Sequence, residues 1–314
     1  MSWQIISKDA SSNKFYPIDV LANSLPNSAR MSYQTAKDKP ISFWPDKRVI
    51  FHMTWAGKYL KLWNTFYRKI ARVCPRFWIE FDADQHMNHL HTIDFSFRTY
   101  MCMYNRMHKY CNKFLWELPS RFNPFIGTPT RVPAGIYHKS RELPVRKKDI
   151  DFLGLIDLEA YNAANTLRLL MVLPGNVKCI VINPDIYKWY KNAEFSFELI
   201  KNSKTIPGQQ LFYSLLDRSK VLVALSHRLT LGRNLYEALF HGALSVCSDT
   251  FGASELLFPD FTVPSHAIDL NHVREKCMQA RERWSPAEIN THRRNAAKVA
   301  GIQKTIQRLQ VGSK

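Results

Sequence analysis

Residues 229–257 read LTLGRNLYEALFHGALSVCSDTFGASELL, and the order of residue types in this stretch decides the fold. It follows the apolar run Val221 to Leu225, a buried strand by composition, and the polar Ser226, His227 and Arg228 come directly after that run. Gly232 supplies a turn, and a helix carrying Arg233 and Glu237 starts from it. The helix ends at His241-Gly242, a second strand spans Ala243 to Cys247, and Asp249, Gly252 and Glu255 lead into the next helix. Amides exposed at a helix N-terminus attract an anion. Gly232, Arg233 and Asn234 therefore suit a diphosphate, with Arg233 or Arg228 as its cation. Glu237, one turn further in, is placed to accept two hydroxyls of a ribose. The plainer alternative is an α/β crossover in which Arg233 and Glu237 form a solvated i,i+4 ion pair.

Working outward, 314 residues suffice for two domains with separate cores. The six cysteines, Cys74, Cys102, Cys111, Cys179, Cys247 and Cys277, are scattered without a CxxC pair and read as reduced thiols. No apolar run approaches transmembrane length, and MSWQIISKDASS lacks the apolar centre of a signal peptide, so a cytoplasmic protein is expected. The net charge of +18 is unevenly shared. Residues 1–147 hold 23 basic against 10 acidic side chains, and residues 148–314 hold 21 against 16. The first half thus carries most of the positive field and implies a polyanionic partner; the alternative is a set of solvated basic faces.

Along the first half, strands are expected at Trp3 to Ser7, Arg48 to Met53 and Phe77 to Phe81. Helices are expected around Ile18 to Leu25, from Tyr59 to Val73 and around Phe97 to Leu115. Arg131 to Lys148, with two prolines, a glycine and a basic run, reads as a linker. Strand–helix alternation then restarts: strand Ile150 to Gly154, helix Ala160 to Leu173, strand Lys178 to Asn183, helix Gln209 to Leu216, strand Lys220 to Leu225. The tail from Asn271 to Gln310 reads as two helices. The fold class is therefore α/β, with two Rossmann-like domains facing a central cleft, plus C-terminal helices. Their expected bounds are 1–135 for acceptor binding, 136–270 for the nucleotide, and 271–314 for helices packing back on the domains.

In this order of parts the second half resembles the nucleotide-sugar domain of GT-B glycosyltransferases. The residues that carry the resemblance are VPAGIY (132–137), DIDFLGLID (149–157), IPGQQLFYSLLDRSKVLVALS (206–226) and NLYEALFHGALSVCSDTFGASELL (234–257). Two family features are absent. Leu229 stands where the first Glu of E-x7-E would touch the donor sugar, and Leu155 to Asn165 lacks the usual basic pair. TLGRNLYEAL is similar to the shorter segment of phage DNA glucosyltransferases that modify hydroxymethylated bases. That resemblance implies Arg233 on the diphosphate, with Arg228 as its rival, and Glu237 on the ribose. It also implies a nucleotide-sugar donor, with UDP the expected nucleotide.

An inverting transfer needs a base for the acceptor hydroxyl. Asp82 and Asp84, directly after the strand FWIEF, are the candidates, in the place where the phage enzymes carry theirs. His86, His89 and His91 follow them, but their spacing matches no closed zinc pattern and no metal ligand is assigned. A divalent ion is compatible with the chemistry without being required. Lys58, Lys61, Arg68, Lys69 and Arg72 form the expected nucleic-acid face. The expected acceptor is a hydroxymethylated base in double-stranded DNA, in a phage-encoded enzyme of the host cytoplasm. Two alternatives stay open: a lipid-linked or cell-surface glycan acceptor at an anionic membrane, and a non-catalytic nucleic-acid-binding protein on a transferase scaffold.

Overall fold

The computed structural model describes residues 2–7, 22, 25–53, 68–81, 113–116, 130–131, 139–156, 162–203, 205–227, 232–265, 268–300 and 306–307. The chain divides into two compact units, Met1–Ile136 with Ala300–Lys314, and Tyr137–Val299. The first unit holds strands β1 (Ser2–Ser7), β2 (Ser28–Ser32), β3 (Lys47–Met53), β4 (Arg76–Phe81), β5 (Lys113–Trp116) and β6 (Thr130–Arg131), and helices α1 (Tyr33–Asp38) and α2 (Arg68–Val73). All its pairings are parallel, in the order β2-β1-β3-β4-β5-β6. Trp3, Ile5, Ile6, Val49, Ile50, Phe51 and Phe77 are buried in it. Consecutive buried residues on β1 and β3 mark strands covered on both faces, as parallel sheets are.

Two strands of this half depart from the expectations. Ser28–Ser32, too polar to stand out as a strand, pairs with β1 from Trp3↔Ser28 to Ser7↔Ser32. Lys113–Trp116, which ends a stretch read as helical, is a strand paired to β4 at Trp78↔Lys113. Pairing to a strand already in place overrides the local helical spacing there. Of the expected helix over Tyr59 to Val73, Arg68–Val73 is described and is helical. The expected helix around Ile18 to Leu25 lies largely outside the described residues.

The second unit runs β7 (Ile150–Ile156), α3 (Ala163–Met171), β8 (Val177–Val181), α4 (Pro184–Tyr190), β9 (Glu198–Lys201), α5 (Ile206–Arg218), β10 (Ser219–Ala224), α6 (Arg233–Phe240), β11 (Leu244–Ser248), α7 (Ser254–Leu257), β12 (Thr262–Val263), α8 (Leu270–Arg283) and α9 (Pro286–Ala300). Its sheet is parallel, in the order β12-β11-β10-β7-β8-β9. The first strand, β7, is central. Later strands extend first to one side and then to the other, so the order reverses between β7 and β10. That reversal opens a crevice at the carboxyl ends of the two strands, where doubly wound sheets take ligands. Gly154 lets α3 lie close on the sheet, since a Cβ there would stand 2.4 Å from Leu170 Cδ1.

The helix that follows β10, α6, is held at its far end. Lys148 and Arg293 are both buried, at 6% and 5% exposure. Lys148 Nζ donates to the carbonyls of Leu216 (3.0 Å) and His241 (2.7 Å). Arg293 donates from Nε to Leu239 O (3.1 Å) and from Nη2 to Phe240 O (2.7 Å) and Leu143 O (2.9 Å). The last carbonyls of a helix lack partners within it and carry its negative pole, so two cations there satisfy both needs.

Two outcomes follow from this clamp. Arg293→Ala removes three charged hydrogen bonds, to the carbonyls of Leu239, Phe240 and Leu143, each worth about 1.5–3 kcal/mol. We expect a loss of unfolding free energy of about 3 kcal/mol or more in urea titrations, against less than about 0.5 kcal/mol for the exposed neighbour in Arg294→Ala. Burial pushes the Lys148 ammonium down to about 8, against the pull of Asp217. Between that pH and the ordinary lysine range the unfolded chain holds a proton that the folded chain has lost, so this group's contribution to stability rises with pH. Urea titrations at about pH 7.5 and about pH 10 should show the wild type gaining on Lys148→Met at the higher pH.

Candidate nucleotide site at the start of helix α6

Hydrogen bonds tie together the segments that follow β7, β10 and β11. Asn162 N, at the start of α3, donates to Leu225 O (3.0 Å), just beyond β10. Ser226 N donates to Ser248 Oγ (2.9 Å) and Thr250 Oγ1 to Ser226 O (3.0 Å), which ties the loop after β10 to the loop after β11. Asp249 turns toward β12: its N–H donates to Val263 O (2.8 Å) and its Oδ1 accepts from Ser265 N (3.0 Å). It braces the loop by these bonds.

Gly232 is the residue before α6, with φ 77° and ψ 30°, a left-handed conformation that costs any side chain strain. A Cβ there would also stand 3.3 Å from both Phe251 Cβ and Ala253 Cβ. Glycine thus lets the chain reverse tightly against the loop after β11. Gly232 has no side chain with which to cap the first turn of α6, and that turn holds no acidic residue. Its amide end and the adjoining Arg233, half exposed, give a positive pole at the strand ends. Asn234 is half-buried beside it.

Glu237 sits one turn in, at 15% exposure. Arg233 Nε donates to its Oε1 at 2.8 Å, the i,i+4 pair of the plainer alternative. The pair is not simply solvated, because Tyr213 Oη also donates to Oε1, at 2.9 Å. Among the described residues nothing donates to Oε2. Burial comes first in pushing the Tyr213 hydroxyl above its ordinary pKa, and the Glu237 charge adds to it. The phenol therefore stays a neutral donor. Burial works against the Arg233 charge, but Glu237 and Tyr213 outweigh it and raise its pKa. Arg141, in the segment before β7, belongs to the same field. Burial lowers its pKa, Tyr213 and Glu237 act in the opposite sense, and Arg233 adds to the lowering.

Sequence reasoning brought Gly232, Arg233, Asn234 and Glu237 to one place, and the structure keeps them together. It missed Tyr213, Gln209 and Arg141. The first two are legible as a polar stripe on α5, Gln209-Tyr213-Asp217, at i, i+4, i+8 spacing. Arg141 carries no such signal, as it lies among several linker cations. Arg228, Asp82, Asp84, Lys58 and Lys61 lie outside the described residues, as do His86, His89 and His91. Arg68, Lys69 and Arg72 are exposed on α2, whose Ile70 and Ala71 face inward. Among the described residues no group of three or more His, Cys, Asp or Glu is placed to hold a metal ion, and no helix is long and apolar enough to cross a membrane.

No family model matches the chain, and no curated protein matches it in sequence. Solved structures do. An α,α-trehalose 6-phosphate synthase from Burkholderia multivorans is 11% identical over 100% of this chain and 98% of its own, with a TM-score of 0.59. A lipopolysaccharide outer core galactosyltransferase in its apo form is 13% identical over 94% and 99%, with a TM-score of 0.58. Sucrose-phosphate synthase from Thermosynechococcus elongatus is 9% identical over 98% and 98%, with a TM-score of 0.61. At these identities the likeness is one of fold alone: two parallel-sheet α/β units with added helices, the GT-B fold.

Proposed function

We propose that this chain is a glycosyltransferase whose second unit holds a nucleotide-sugar donor at the start of α6. The observation that carries the reading is Glu237. It is a carboxylate at 15% exposure on the helix after β10, and among the described residues its Oε1 takes two donors and its Oε2 none, which suits Oε2 to ligand hydroxyls. The first-turn amides, Arg233 and Arg141 meet the diphosphate, which compensates for the basic pair missing from Leu155 to Asn165. The nucleotide proposed is UDP; one structural neighbour, a trehalose-phosphate synthase from Burkholderia xenovorans, is described as UDP-forming.

In the transfer, the acceptor oxygen attacks the anomeric carbon and the bond to the diphosphate breaks. The diphosphate leaves with the bonding pair. Cations and amides gathered where that negative charge develops lower the barrier. On an inverting route the acceptor's proton goes to a carboxylate, for which Asp82 or Asp84, after β4, is proposed.

The acceptor proposed is a hydroxymethylated base in duplex DNA. The excess of 23 basic over 10 acidic residues in positions 1–147 supports it, as do the three exposed cations of α2. A lipid-linked or cell-surface glycan is the second reading, favoured by the likeness to a lipopolysaccharide galactosyltransferase.

Arg233→Ala and Glu237→Ala should each weaken UDP binding by roughly 1–3 kcal/mol in calorimetric titrations, as for lost charged hydrogen bonds. Unchanged affinity in both variants removes the donor site. Transfer from a panel of sugar nucleotides to hydroxymethylated DNA, with retention on duplex that falls steeply with salt, is expected for the DNA reading. Transfer only to a lipid-linked acceptor, with binding to anionic vesicles, selects the second.

A further inference from the structure

Glu237 is positioned by a line of side chains that ends in Tyr213. Tyr213 lies on α5 and reaches across to α6, donating to Glu237 Oε1 at 2.9 Å. Its hydroxyl also takes a hydrogen bond from Gln209 Nε2 (2.6 Å), one turn earlier on α5. Its ring stacks on His241 at the end of α6, with centroids 4.8 Å apart and planes at 24°. His241 Nδ1 lies 2.9 Å from Asp217 Oδ1, one turn further along α5. The same His241 gives its carbonyl to buried Lys148. Tyr213 thus has its ring plane fixed by one neighbour and its hydroxyl by another, and has a single direction left in which to donate.

Arg233 cannot fix the carboxylate alone. Its side chain is 48% exposed, and a diphosphate would compete with Glu237 for its charge. The Tyr213 bond comes from a neutral hydroxyl, whose charge an anion does not compete for. It keeps Oε1 occupied and so fixes which oxygen of the carboxylate is turned toward a ligand.

From this geometry we infer that Tyr213 is the positioning residue that sets the chain's preference for a nucleotide carrying both ribose hydroxyls over one carrying neither. The inference rests on the reading of Glu237 as the ribose ligand. Tyr213 itself touches no substrate. It acts by holding the acceptor oxygen still, so that a nucleotide with both ribose hydroxyls is bound well and one without them gains nothing.

The test compares UDP with its 2′,3′-dideoxy analogue by calorimetry on the full chain, in the wild type, Tyr213→Phe and Glu237→Ala. The ratio of the two affinities does not depend on how much of a variant is folded. The wild type should favour UDP by about tenfold or more, the scale of one charged hydrogen bond. Glu237→Ala should bring the ratio close to one, and Tyr213→Phe should cut it severalfold while leaving the affinity for the dideoxy analogue within about twofold. A merely structural role would weaken both ligands together, and that result overturns the inference. A wild-type ratio in Tyr213→Phe, with the ratio lost in Glu237→Ala, also overturns it and leaves the donor site standing. A wild-type ratio in Glu237→Ala overturns the reading of the site on which it rests.

Discussion

Two buried cations on the last carbonyls of α6 are the constraint on which the second unit depends. Lys148 comes from the segment before β7, and Arg293 from the last helix, α9. Each is costly to bury, since a charge leaves water, and each is compensated because it meets the negative pole of a helix and hydrogen-bonds its last carbonyls. The clamp joins three parts of the chain that are far apart in sequence. It fixes the C-terminal end of α6, and a rigid helix fixed at one end has its other end fixed too. Gly232, Arg233 and Glu237 are thereby delivered to the place where the strand order reverses.

The polar contacts of the site follow from that placement. α5 leads into β10 and packs beside α6, so its stripe of Gln209, Tyr213 and Asp217 meets Glu237 and His241 along one seam. The seam is continuous with the clamp, because His241 contributes its ring to one and its carbonyl to the other. Stability and the geometry of the Glu237 carboxylate therefore share residues here. A change at Lys148 acts first on the fold, and a change at Tyr213 acts first on the carboxylate.

The sequence shows this half of the chain more clearly than the other, for a physical reason. A parallel sheet covered on both faces demands uninterrupted apolar runs such as VLVAL at 221–225, and these are visible without tertiary information. The glycine at 232 and the i,i+4 pair of Arg233 and Glu237 are equally local. What the sequence hid was set by pairing and by distance. β2 is a polar strand that exists because β1 offers it an edge, and β5 interrupts a stretch with helical spacing because β4 does the same. Lys148 and Arg293 look like ordinary surface cations in sequence, and their burial depends on carbonyls 93 and 54 positions away. Arg141 reaches Glu237's field from a linker of similar residues. The C-terminal helices were foreseen as two, and one of them supplies the clamp.

The central claim is that the start of α6 and Glu237 form a nucleoside-diphosphate site. A crystal structure of the chain with UDP tests it most directly. The account predicts the diphosphate against the first-turn amides and Arg233, with the ribose hydroxyls on Glu237 Oε2 and Tyr213 still bonded to Oε1. A nucleotide bound elsewhere, with Glu237 and Arg233 keeping their mutual pair and touching nothing of the ligand, would contradict it.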